Sequence, residues 1–203
     1  LQAFGNALPK LRKQLQAQVE APGFNREKVL ATVVLLLDAT LIRVGNSQYA
    51  RDNRSYGLTT LRTRHVDIKG SEIKFQFRGK SGVEHQVSIK DRRLASVLKR
   101  CLELPGQNLF QYLDADGERH TVSSTDVNAY LHSLTGADFT AKDYRTWAGS
   151  ALALAVLREL AWQPESDAKR HVVEMVKNVA RQLGNTPAVC RKCYIHPAVL
   201  EHF

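Results

Sequence analysis

One stretch, residues 63–89, breaks an otherwise helical chain, and its placement narrows the possible folds more than any other feature. Residues 63–69, 73–78 and 83–89 form short segments with alternating or β-branched residues. Gly70-Ser71 and Gly79-Lys80-Ser81-Gly82 separate them, supplying the residue types that tight turns require. Connections this short imply antiparallel pairing. The expectation is a three-stranded antiparallel sheet with Lys80 at a hairpin tip, in a fold that is mainly α with this one small β-sheet.

The flanking sequence reads as helix. Leu8, Leu11, Leu15 and Val19 follow helical spacing, with Pro9 suited to a first turn. Lys10, Arg12, Lys13 and Gln14 make the other face, so residues 1–22 form a basic amphipathic lead helix. Pro22-Gly23 breaks it, and Asn25 can cap a second helix running through residues 29–37 toward Ile42. After Gly45 the texture turns to β. From Asp91 helices return over 92–102, stopped by Pro105-Gly106, and over 124–134, ended by Gly136. Thr140-Ala141-Lys142-Asp143 resembles a capping box and opens a helix through Leu160. Ser166 can cap 167–183, whose apolar face is Val172, Val173, Val176, Val179, Ala180 and Leu183. Gly184 ends that helix, and Thr186-Pro187 starts a short one carrying Tyr194.

A chain of 203 residues fits one domain, 1–203, with a sizeable core. No uncharged apolar run, 29–37 included, is long enough to span a membrane, and no secretory signal opens the chain. Lys and Arg outnumber Asp and Glu 29 to 20, giving net +9 and a pI near 9.6, which favours a polyanionic partner. Three cysteines argue against a disulfide framework and for a reducing cytosol. Met175 is the only methionine and the chain begins at Leu1. That is expected of a piece or processed product lacking a preceding domain.

Tyr194 lies in Ala188-Val189-Cys190-Arg191-Lys192-Cys193-Tyr194-Ile195-His196-Pro197. A phenol is a weak nucleophile at neutral pH and needs cations to stabilise charge developing on an attacked phosphodiester. A lone tyrosine is more often structural, so the chemistry depends on partners elsewhere in the chain. Arg43 follows a buried helix, where a charge needs a reason. Lys80 sits on the hairpin tip. Arg145 lies one turn inside a helix N-terminus, an end that favours anions. Asn185 stands nine residues before Tyr194. Each alone has a bland reading, as a surface ion pair or an ordinary turn.

Their order has more content. Leu41-Ile42-Arg43-Val44-Gly45-Asn46, Tyr56-Gly57-Leu58-Thr59-Thr60-Leu61, Phe77-Arg78-Gly79-Lys80, Lys142-Asp143-Tyr144-Arg145-Thr146-Trp147-Ala148-Gly149 and Leu183-Gly184-Asn185-Thr186-Pro187 through Tyr194 resemble the type IB DNA topoisomerases, specifically their bacterial and poxvirus-like branch. The resemblance covers roughly residues 24–202 and looks like the family's catalytic domain without its small N-terminal domain. It implies a topoisomerase IB/tyrosine recombinase-like catalytic fold. Tyr194 would attack a phosphodiester to give a 3′-phosphotyrosyl link and a free 5′-hydroxyl. Arg43 and Arg145 would hold the non-bridging oxygens, and Lys80 would protonate the 5′-oxygen. Supercoil relaxation would need neither ATP nor a metal, and no cofactor is expected. Asn185 stands where viral and nuclear members carry His, so that position can donate only a neutral hydrogen bond.

The partner expected is duplex DNA, met by a monomer in the cytoplasm at the nucleoid, with no membrane contact. Lys142, Arg51, Arg54, Arg62, Arg64, Lys74 and Lys192 are candidate DNA contacts. Cys190-x-x-Cys193-x-x-His196, with His202 beyond, has a superficial metal spacing, but a closed zinc site usually draws four ligands from a settled framework, and no metal is expected. No βαβ pattern supports a redox role for the pair. His65, His85, His120, His132 and His171 are read as surface or packing residues, and Trp147 and Trp162 as core. A tyrosine recombinase is the nearest rival; such enzymes usually show His-x-x-Arg where this chain has Lys142-x-x-Arg145, and their C-terminal extension is longer than residues 195–203. A non-catalytic basic DNA-binding module would fit the net charge, but leaves the ordered Arg, Lys, Arg and Tyr unexplained.

Overall fold

The computed structural model describes residues 1–160 and 168–201, so Trp162, Ser166, Asp167 and His202 lie outside the described residues. The elements in chain order are α1 (Gln2–Glu20), α2 (Arg26–Thr40), α3 (Ser47–Asn53), β1 (Val66–Lys69), β2 (Glu72–Arg78), β3 (Glu84–Lys90), α4 (Arg92–Glu103), β4 (Gln111–Leu113), β5 (Arg119–Thr121), α5 (Ser124–Thr135), α6 (Ala141–Leu160), α7 (Ala168–Leu183), α8 (Pro187–Cys193) and α9 (Pro197–Glu201). They fall into two compact units, Ala7–Ala141 and Leu1–Asn6 with Lys142–Phe203. The fold is mainly α with a small three-stranded antiparallel sheet.

The unit Ala7–Ala141 is built on α2. Asn25 Oδ1 accepts the Lys28 N–H at 2.9 Å and opens the helix; Leu41, left-handed at φ 56°, closes it. Val29, Leu30, Val33, Val34, Leu36 and Leu37 are all at most 1% exposed. A helix apolar on nearly every side needs neighbours all round, and α2 packs against α4, α5, β3 and β4. Each such side chain contributes ~1.5–3 kcal/mol when fully buried.

α1 fills the expected lead helix and buries the stripe Leu8, Leu11, Leu15 and Val19 along one face, but it begins at Gln2 and not at the turn holding Pro9. Pro9 is thus inside the helix, at a cost of about 3 kcal/mol set against that stripe. Residues 47–53 are helical, not β: Asn46 Oδ1 accepts the N–H groups of Gln48 and Tyr49 at 2.9 and 3.1 Å and nucleates α3. A second hairpin, β4–β5, was not expected; Asp114 Oδ1 organises its turn by accepting the Asp116 and Glu118 N–H groups.

The expected sheet forms as β1-β2-β3, with Lys69 opposite Glu72 and Arg78 opposite Glu84. Ile73, Phe75 and Phe77 face the core while Lys74, Gln76 and Arg78 face out, the period of two that a half-buried strand requires. Thr63–His65 is a 3₁₀ turn instead of strand. His65 causes the bend: its Nδ1 accepts the Arg62 N–H at 3.0 Å and its ring packs at 4.5 Å on Tyr56.

In the other unit, α7 buries Met175, Val176, Val179, Ala180 and Leu183. Val173 does not join that face and is 47% exposed, since it lies about 100° round the helix from its neighbour Val172. No described helix is long and apolar enough to cross a membrane.

Candidate active site

Tyr194 does not lie in α8 as expected but caps its C-terminus, with φ −127° and ψ −16°. Thr186 opens α8 and Pro187 occupies its first turn, where a missing N–H costs nothing. At the far end the N–H groups of Tyr194 and Ile195 both reach the Cys190 carbonyl, at 3.0 and 3.2 Å. Ile195 is buried, which fixes the chain direction immediately after the tyrosine.

α6 runs beside this turn and meets it three times. The Arg145 guanidinium carbon lies 4.9 Å from the centre of the Tyr194 ring. At Gly149 an added Cβ would fall 2.6 Å from the Tyr194 carbonyl oxygen, so only glycine permits the approach. Ser150 Oγ donates to that same oxygen at 3.3 Å and accepts the His196 N–H at 3.0 Å.

Arg145 is only 4% exposed. Its Nη2 donates at 2.8 Å to the carbonyl of Leu183, the last residue of α7. Gly184, at φ 58°, lets the chain turn so that the Asn185 N–H reaches the Ala180 carbonyl and the Gly184 N–H reaches that of Arg181. This is a Schellman closure. A helix C-terminus carries partial negative charge, so a guanidinium is favoured there. Arg145 on α6 thus meets both the end of α7, two residues before Asn185, and Tyr194 at the end of α8. Burial raises the Cys190 thiol pKa above its usual value, and the Arg145 charge opposes that rise.

Arg43 and Lys80 belong to the unit Ala7–Ala141. The Arg43 carbonyl accepts the Leu58 N–H at 2.8 Å, and the Val44 carbonyl accepts the Thr59 N–H at 2.8 Å. Gly57 backs this segment so closely that a Cβ would come 2.6 Å from the Arg43 oxygen. One residue earlier, the Tyr56 N–H donates at 2.8 Å to the carbonyl of Arg78, two positions before Lys80. The segment bearing Arg43 and the hairpin bearing Lys80 are thus tied through residues 56–59.

Lys80 is exposed at the tip between β2 and β3. Gly79 N–H to the Val83 carbonyl (2.7 Å) and Gly82 N–H to the Gly79 carbonyl (3.1 Å) close the tip, with Ser81 and Gly82 at positive φ. Beneath it, His85 stacks on Phe77 with centroids 5.1 Å apart, and Gly79 lies against the His85 ring. His65, tilted against Phe77 with ring centroids 6.5 Å apart, is 9% exposed. Burial, with help from Arg64 and Arg62, depresses its pKa below the usual histidine value. His65 and His85 are packing residues, as their sequence context indicated.

Among the candidate DNA contacts, Lys142, Arg51, Arg54, Arg64, Lys74 and Lys192 are exposed. Arg62 is half-buried and donates to Asn108 Oδ1 at 3.0 Å. Lys74 lies 3.6 Å from Glu72. Trp147 is half-buried, its ring against Gly5. Cys190 is buried and Cys193 exposed. Sequence reasoning missed Ser150; its one signal was Gly149 beside it, a residue that weakens a helix interior unless something approaches its backbone.

The family described as eukaryotic DNA topoisomerase I, catalytic core, matches residues 1–203. A DNA topoisomerase 1B of Acanthamoeba polyphaga mimivirus is 32% identical over 206 residues, covering 98% of this chain and 61% of the relative. A DNA topoisomerase I of monkeypox virus is 22% identical over 199 residues, covering 97% and 60%. The chain therefore spans about three-fifths of the length of these relatives. Among solved structures, the XerH site-specific recombinase bound to its difH substrate before cleavage superposes with a TM-score of 0.52 at 15% identity, covering 93% of this chain and 49% of that one. That likeness concerns the fold.

Proposed function

We infer the activity from the family to which this chain belongs, the DNA topoisomerase I catalytic core: it cuts and reseals one strand of duplex DNA, relaxing supercoils. The observation that carries the reading most directly is the Arg145–Tyr194 contact, a buried permanent cation beside a phenol whose oxygen must shed its proton to react.

In the proposed reaction Tyr194 Oη gives up its proton to solvent and attacks the scissile phosphorus while the bond to the 5′-oxygen breaks. The products are a 3′-phosphotyrosyl link and a 5′-hydroxyl. Arg43 and Arg145 hold the non-bridging oxygens; a guanidinium is permanently charged and forked, which suits that task. Lys80 gives its proton to the departing 5′-oxygen, since an ammonium, unlike a guanidinium, can release one. Asn185 adds a neutral hydrogen bond. One phosphoester replaces another, so resealing is the reverse step and needs no ATP, and the arginines supply the charge a metal otherwise would. Lys142, Arg51, Arg54, Arg62, Arg64, Lys74 and Lys192 contact the DNA backbone. The protein acts as a monomer in the cytoplasm, on nucleoid DNA.

Incubation with negatively supercoiled plasmid, in EDTA and without nucleotide, tests this. Relaxed topoisomers are expected, and a plasmid left fully supercoiled at stoichiometric protein contradicts the reading.

A further inference from the structure

We propose that Ser150 is a positioning residue for the nucleophile, clamping the backbone of Tyr194 so that its phenol stays aligned with the phosphate. The proposal rests on Tyr194 being the nucleophile, and it assigns a role that neither the family match nor the residue pattern supplies.

A buried serine within a helix commonly turns its hydroxyl back to the carbonyl four residues earlier. Thr146 on the same helix does this, donating to the Lys142 carbonyl at 3.2 Å. Ser150, 6% exposed, reaches across instead. Its Oγ donates to the Tyr194 carbonyl and accepts from the His196 N–H, so one hydroxyl brackets both peptide bonds that follow the tyrosine side chain. Gly149, next to it, opens the space that brings the Tyr194 carbonyl within reach.

Arg145 lies five residues earlier on α6, against the ring of the same tyrosine. A single rigid helix thus sets the ring with Arg145 and the backbone with Ser150. Remaining freedom of the phenol is reduced to side-chain torsion. In-line attack is sensitive to such alignment, and a displacement of about 1 Å can slow a reaction ~100-fold.

The test is single-turnover cleavage of a duplex whose 5′ fragment dissociates after cutting, using Ser150→Ala. Cleavage should slow by roughly 10–100-fold, while DNA affinity, measured in a Tyr194→Phe background, stays within twofold. A bridging 5′-sulfur substrate, whose leaving group needs no proton, should leave that deficit intact, because the defect lies in the attacking group. Ser150→Cys keeps the volume with weaker hydrogen bonds and should also be slowed, so it carries the test if Ser150→Ala does not fold. Wild-type cleavage rates in the folded variant overturn the proposal, as does a deficit cured by the sulfur leaving group or matched by an equal loss of affinity. Wild-type protein that forms no covalent adduct at all overturns the proposed activity, and the clamp with it; an adduct formed as fast by Ser150→Ala as by wild type overturns the clamp alone.

Discussion

Arg145 holds its guanidinium carbon 4.9 Å from the centre of the Tyr194 ring while its Nη2 donates at 2.8 Å to the carbonyl that ends α7. A cation over an aromatic face contributes up to about 2 kcal/mol once desolvated, and a helix C-terminus attracts the same charge. Arg145 therefore serves as a structural joint between α7 and the tyrosine turn, in addition to the phosphate-holding role proposed for it.

Replacing Arg145 should expose both roles. Arg145→Ala is expected to lower the single-turnover cleavage rate by ~10²–10³-fold, as loss of one oxyanion donor does. Arg145→Lys keeps a charge but not the fork, and should recover only a small part of that loss. A lysine variant cleaving at the wild-type rate would show that charge alone suffices.

Lys80 stands exposed on a tip closed by backbone hydrogen bonds. Removing its proton from the reaction by Lys80→Ala should cost ~10²–10⁴-fold in cleavage. A bridging 5′-sulfur substrate should restore most of the rate. If the sulfur substrate is cut as slowly as the oxygen one, Lys80 acts on something other than the leaving group.

Asn185 is placed by the Schellman closure of α7, which its backbone N–H makes. That bond survives any side-chain change. Asn185→His should accordingly keep plasmid relaxation within about tenfold of wild type, since an imidazole N–H can replace the amide donor. A thousandfold loss would mean the position works differently.

His65 makes stability depend on pH. Burial depresses its folded-state pKa from 6.5, with Arg64 and Arg62 adding to the effect. Between the folded and unfolded values the unfolded chain binds more protons, so stability rises with pH there. The contribution is present above about 6.5, the ordinary histidine value, and is lost as pH falls below it. Thermal melting at pH 7 and pH 5 should show a larger drop for wild type than for His65→Asn, whose carbonyl can still accept the Arg62 N–H. Equal drops would show that His65 does not set this pH dependence.

Much of this was readable in residue order. Asn25, Gly136 and Gly184 mark helix ends through local chemistry, and the outward row Lys74, Gln76, Arg78 follows from strand period. Local patterns failed where distant contacts decide. The helix at 47–53 depends on one Asn46 cap in a stretch that otherwise read as β, and Thr63–His65 curls because His65 packs on Tyr56. Arg43, Lys80, Arg145, Asn185 and Tyr194 stand out as candidates by their order and family likeness, and the structure sets Arg145 against Tyr194. Ser150 left no such trace, because its role lies in reaching a carbonyl 44 residues away.

Under the proposed mechanism, Tyr194 forms a covalent bond to DNA. Duplex DNA with a 5′ fragment that dissociates on cutting, incubated with the protein and resolved under denaturing conditions, measures that bond directly. A denaturant-resistant adduct through Tyr194 on the 3′-phosphate is expected for wild type, and none for Tyr194→Phe. No adduct from wild type, or as much from Tyr194→Phe, would contradict that mechanism.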